Sequence, residues 1–201
     1  MKTLLQAILL VFMMNFGNAQ QTKKAFVDFD DLENLMTEVK PHREKRLINL
    51  NEFSKKSLKK NTVILDTRSK EMYDKKHVKG AININFSDFT QAVLDDFFRQ
   101  YAGKNTQILI YCNNNFEDKL AGNFQDIYFI SKVVRPEIPK DKKIKVEKPK
   151  TLALNIPTYL NLYGYGYKNV FELNELVDVN DKRIAFEGTD SKPKMAYRIK
   201  Q

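Results

Sequence analysis

TVILDTRSKEMYDKKHVKGAININ occupies residues 62–85, and TQILIYC follows at 106–112. The first stretch opens on TVILD, an apolar β-branched run too short for a helix and closed by a carboxylate, which reads as a buried strand. SKEMYDKKH then reads as a short helix, and Gly80 releases the chain into the extended KGAININ. TQILIYC is a second buried strand, and the one cysteine of the chain, Cys112, sits at its carboxyl end. Strands alternating with short helices predict an α/β fold: a central parallel sheet of about five strands flanked by helices. In such sheets ligands bind beyond the carboxyl ends of the strands, which is where Cys112 falls.

DFDDLENLMTEVK at 28–40 carries acids first and then Leu32, Leu35, Met36 and Val39 at helical spacing. Pro41 is expected to end that helix in a polar break, PHREKR. LINLNEFSKKSLKKN at 47–61 predicts a short strand and a small amphipathic helix with Phe53 and Leu58 on its inner face. SDFTQAVLDDFFRQYAG predicts a helix capped by Ser87 and closed at Gly103, packing a stripe of Phe89, Val93, Phe97 and Tyr101. TLALNIPTYLNLYGYGY at 151–167 is a further helix, with Pro157 either starting its main part or kinking it. Core strands are expected at 62–66, 107–111 and 169–172; the stretch from Asn180 shows no period.

Residues 117–150 differ from the rest. They hold three of the six prolines, nine Lys or Arg and six Asp or Glu. That composition predicts a solvated surface loop over 131–150, more mobile than the sheet.

The chain opens MKTLLQAILLVFMMNFGNAQ. Lys2 gives a positive start, Leu4 to Phe16 an apolar run too short to span a bilayer, and Gly17 and Ala19 small residues ahead of a cut before Gln20. The reading is a signal peptide over residues 1–19, hence an exported protein, periplasmic or secreted, that does not span the membrane once cut. A net charge of +9 on 201 residues does not by itself mean nucleic acid: the lysines are dispersed and no recognition motif appears. The 14 Phe and 9 Tyr exclude global disorder, one cysteine excludes an internal disulfide, and one Cys with two scattered His makes a metal site unexpected. No cofactor is expected.

Asp66 and Arg68 at a strand end, then His77, Gly80, Ala81 and Ile84, then Tyr111 and Cys112, and finally Gly166, Tyr167, Asn169 and Val170 line up in one order. This resembles the rhodanese-like domain family over about residues 47–112 and 151–178. The organisation that follows is a signal peptide at 1–19, an N-terminal extension with one helix at 20–46 and the rhodanese-like domain at 47–179. An insertion at 117–150 follows the active-site loop, and a tail covers 180–201. The resemblance implies sulfur transfer: Cys112 takes sulfane sulfur from a small donor such as thiosulfate, holds it as a persulfide and passes it to a thiophilic acceptor. It also implies that Asn113, Asn114, Asn115 and Phe116 form the substrate-binding loop, with Asp66, Arg68 and His77 in support.

A thiol is a poor nucleophile, so such a site must stabilise a thiolate with N–H groups or positive charge. The family's loop usually supplies a basic residue and a glycine. This one supplies three asparagines, which tolerate left-handed backbone angles and are expected to curl into a nest of amides. Two further readings stand beside sulfur transfer. One is a catalytically weak or idle binding module that uses 117–150 for a protein or envelope partner. The other is a thiol-based redox or phosphatase-like activity, of which the lack of an arginine within six residues after Cys112 disfavours the phosphatase. Asp66 with Arg68 reads as an ion pair holding the loop, and His77 as a turn residue bonded to backbone; His42 is assigned no role.

Overall fold

The computed structural model describes residues 28–118 and 153–191. The predicted signal peptide, nearly all of the 117–150 insertion and the last ten residues lie outside the described residues. Residues 1–32 and residues 33–201 form separate units, and of the first only 28–32 are described.

Five strands make one parallel sheet: β1 (Leu47–Ile48), β2 (Thr62–Asp66), β4 (Ala81–Asn83), β5 (Gln107–Ile110) and β7 (Val170–Leu173), in the order β1-β7-β5-β2-β4. The α/β expectation holds, and strand alternation explains both cores. Val63, Leu65, Ile108, Ile110 and Val170 point to one face, where Leu94, Phe98, Tyr159 and Leu162 cover them. Ile64, Leu109, Tyr111 and Leu173 point to the other, against Leu50, Phe53, Phe116 and Val177.

The helices are α1 (Phe29–Glu44), α2 (Leu50–Ser57), α3 (Lys70–Lys75), α4 (Gln91–Phe98) and α5 (Asn155–Gly164). Several depart from the sequence reading. α1 runs through Pro41 instead of stopping there, because Arg43 in its last turn makes a bidentate ion pair with buried Glu172, with Nε and Nη2 each 2.5 Å from a carboxylate oxygen. That anchor outweighs the one amide bond a proline removes. Leu58 is exposed, since α2 ends one residue before it.

The helix expected from Ser87 starts instead at Gln91, capped by Thr90; Ser87 lies in a separate 3-10 turn, Phe86–Asp88, capped by Asn85. With that start the buried side chains are Leu94 and Phe98, while Val93 is exposed. Pro157 falls in the first turn of α5, where a missing N–H costs little. The stretch after Asn180 is not featureless: β9 (Phe186–Glu187) pairs antiparallel with β3 (His77–Val78). Just before it, β8 (Val177–Asp178) pairs parallel with β6 (Phe116–Glu117).

Candidate active site at Cys112

Strand β5 lies in the middle of the sheet between β7 and β2, so the chain leaving its carboxyl end emerges among the sheet's deepest elements. Tyr111 and Cys112 are the first residues past it. Cys112 is only 4% exposed, with an extended backbone at φ −147°, ψ 177°. Asn113–Asn115 then turn the chain as a 3-10 helix.

That turn corrects the expected left-handed nest. Among the described residues the one non-glycine with positive φ is Asn61, so none of the three asparagines is left-handed. They close the turn with side chains instead. The Asn115 Oδ1 accepts from the Cys112 N–H at 2.9 Å, the Asn115 N–H donates to the Cys112 carbonyl at 3.0 Å, and the Asn115 amide nitrogen donates to the Leu173 carbonyl at 2.8 Å. A short polar side chain that bonds its own backbone favours such a turn over a helix or strand. Asn115 therefore staples the turn to the end of β7.

Phe116, expected in the substrate loop, is instead fully buried in the second core, packed edge-on to Tyr111 and Phe186. An aromatic side chain this large gains more from the core than from a solvated loop. Asn113 stays at the site: its N–H lowers the pKa of the Cys112 thiol, and its Oδ1 accepts from Arg68 Nη1 at 3.3 Å. The Asn114 Oδ1 is buried without a hydrogen-bond partner among the described residues.

The cradle that the asparagines do not complete comes from elsewhere. Leu154 and Asn155, at the start of α5, also direct backbone N–H groups at the Cys112 sulfur. Leu154 caps the helix with no side-chain bond, so the first amides of the helix are left without a partner from the cap side chain. The macrodipole adds a partial positive charge at the same end. Burial pushes the Cys112 thiol up, and the N–H groups of Asn113, Leu154 and Asn155 together with the Arg68 charge pull it down without cancelling the rise.

Arg68 and Asp66 are almost wholly buried. The guanidinium grips the carboxylate (Nη2–Oδ2 2.6 Å, Nε–Oδ1 3.0 Å) and donates to the Lys76 carbonyl at 2.8 Å. Tyr111 donates to the same Asp66 carboxylate at 2.5 Å and accepts from the Val78 N–H at 3.1 Å. This network fixes the residues just before and beside Cys112. His77 bonds the Tyr73 carbonyl through Nδ1 at 2.6 Å, which sets the Nδ1–H tautomer, and its ring stacks on Tyr73. Its Nε2 lies 3.8 Å from Glu187, its backbone partner on β9, and the ring makes no bond to the sulfur.

Three participants escaped the sequence reading. Asn155, Glu172 and Arg43 form a chain of contacts beside Cys112, with Glu172 accepting from both the Asn155 side-chain amide and Arg43. Pro157 signalled a helix start nearby, but nothing in the sequence said which strand end that start would meet.

A search of curated proteins finds no match. A family model does match: the rhodanese-like domain aligns with residues 49–135. Within that span lie α2, the Asp66–Arg68 strand end, the His77–Ala81 turn and Cys112, while β7 and α5, which complete the sheet and the cradle, lie beyond it. The five-stranded parallel sheet with a cysteine at the carboxyl end of its central strand and the matched span agree: the chain carries a rhodanese-like domain at residues 49–135.

Proposed function

We propose that the protein is an exported sulfurtransferase that carries sulfane sulfur as a persulfide on Cys112. The observation that carries this reading is the place of Cys112 just past the carboxyl end of the central strand, beside the buried Arg68–Asp66 pair, where the backbone N–H groups of Asn113, Leu154 and Asn155 all favour the thiolate. In the forward step the Cys112 thiolate attacks the outer sulfur of a donor such as thiosulfate. A new S–S bond forms on Cys112, the donor's S–S bond breaks, and sulfite leaves with the electron pair. An acceptor thiolate then attacks the outer sulfur and returns Cys112 to the thiolate. Each N–H bond to an anionic sulfur is worth about 1.5–3 kcal/mol, which supports an anion that burial alone would disfavour.

Export rests on the signal-like opening, and residues 117–150 are the segment proposed for a protein partner. The test is intact mass after incubation with thiosulfate or a polysulfide: the wild-type chain gains one sulfur and Cys112→Ser gains none while keeping its circular dichroism. The near-complete burial of Cys112 favours a second reading, an idle module whose insertion binds a partner. A wild-type chain that takes sulfur from no donor decides for that module.

A further inference from the structure

A long stretch of chain separates Cys112 from Leu154, so the covalent connection does not hold the start of α5 against the sulfur; tertiary bonds must. We propose that Asn155 and Glu172 are positioning residues for Cys112: the Glu172 carboxylate holds the Asn155 side chain, and with it the first turn of α5, so that the Leu154 and Asn155 N–H groups stay on the sulfur. The proposal rests on the reading of Cys112 as the working sulfur.

Glu172 stands on β7, opposite Ile110 of the cysteine strand, and is 1% exposed. Its Oε2 accepts from Arg43 Nε, while its Oε1 accepts from Arg43 Nη2 and from the Asn155 side-chain amide. A buried ion pair is weak support for stability, because apolar residues of the same volume often do as well. The placement of Glu172 is therefore better explained by what it holds. Asn155 is 3% exposed, and its Oδ1 has no partner among the described residues, so the bond to Glu172 is the one that orients this amide. A buried amide kept half-satisfied points to a positional role rather than to packing. A second tether, Thr158 Oγ1 to Thr67 Oγ1 at 2.9 Å, fixes the same helix turn to the end of β2. Arg68 is a charged side chain that favours the thiolate, and its bond to Asn113 does not run through α5.

The test uses the one thiol of the full chain. Rates of iodoacetamide alkylation across pH give the thiolate midpoint of Cys112 directly, whether or not sulfur is ever loaded. Asn155→Leu keeps the volume and cannot donate; its midpoint should rise by about one pH unit, with an alkylation rate at neutral pH about tenfold lower. Asn155→Ala repeats the measurement should leucine not be accommodated, and Glu172→Gln should fall between it and the wild type. Tyr159→Phe alters the same helix but removes different bonds, those from α5 to His42 and to the Val170 carbonyl. It should lower the melting temperature and leave the midpoint alone. A wild-type midpoint in folded Asn155→Leu or Asn155→Ala overturns the proposal. Wild-type protein that alkylates normally but never takes sulfur overturns the sulfurtransferase reading instead, and the two failures are thereby told apart.

Discussion

Cys112 has two opposed demands on it. Burial withdraws the thiolate from water, and three N–H groups with one neighbouring guanidinium restore part of what is lost. Burial wins, so the resting residue is a thiol at neutral pH, and its alkylation should reach half its maximal rate above the ordinary free-thiol value of about 8.5. A midpoint at or below that value contradicts this balance. The loop's missing cation matters here, because Arg68 is already paired with Asp66. Asn113→Arg adds a charge directly after Cys112, at a half-buried position whose N–H already favours the thiolate. One charge-assisted contact of about 1.5–3 kcal/mol should raise the rate of sulfur loading from thiosulfate at least tenfold. An unchanged or lower rate in that variant means that charge does not limit the site.

At the scale of elements, the strands were the most legible, because TVILD and QILI are buried on both faces and show it as continuous apolar runs. Helix boundaries were less legible. Pro41, Ser87 and Leu58 each carry a correct local signal that a long-range partner or a better cap overrides. The site split the same way: Asp66, Arg68 and Cys112 could be read because they lie on strand ends, whereas Asn155 and Glu172 meet only through folding. His42 belongs to this class. Assigned no role from sequence, it shares a hydrogen bond of 2.9 Å with Tyr159 of α5, and its ring lies edge-on to Tyr163. Burial lowers its pKa from 6.5, and the charges of Arg46, Lys168 and Lys45 lower it further. The folded state therefore binds the proton less readily than the unfolded chain. The stability tied to His42 is fully present above pH 6.5 and falls away as the pH drops through that value toward the folded pKa. Urea midpoints at pH 7.5 and 5.5 check this: the wild type should lose more between them than His42→Gln, and equal losses contradict it.

For the molecule as a whole, the segment after Asn180 decides whether the domain ends at β8 or closes on itself. Its bonds say that it closes. The Lys79 N–H donates to the Ala185 carbonyl at 2.8 Å. The Thr189 N–H donates to the Asp74 carbonyl at 2.9 Å, and the Asp190 N–H to the Lys75 carbonyl at 3.0 Å, so both bonds land on the last turn of α3. Phe186 packs edge-on to Phe116, and Phe116 in turn on Tyr111, whose hydroxyl bonds Asp66. The final segment thus reaches the Cys112 strand end through a relay of aromatic and hydrogen-bonded contacts. Gly188 shows how tight the closure is: at φ +124° a Cβ would stand 2.4 Å from the Lys75 carbonyl oxygen. Gly188→Ala should cost about 1–3 kcal/mol through backbone strain and that clash. A chain stopped after Val179 should lose roughly 2–4 kcal/mol, from one partly buried aromatic and several hydrogen bonds, relative to a chain stopped after Ser191. Urea unfolding followed by tyrosine fluorescence measures both. If the chain stopped after Val179 matches the one stopped after Ser191, β9 is an appendage; a lower midpoint with faster alkylation of Cys112 at fixed pH means that it seals the site.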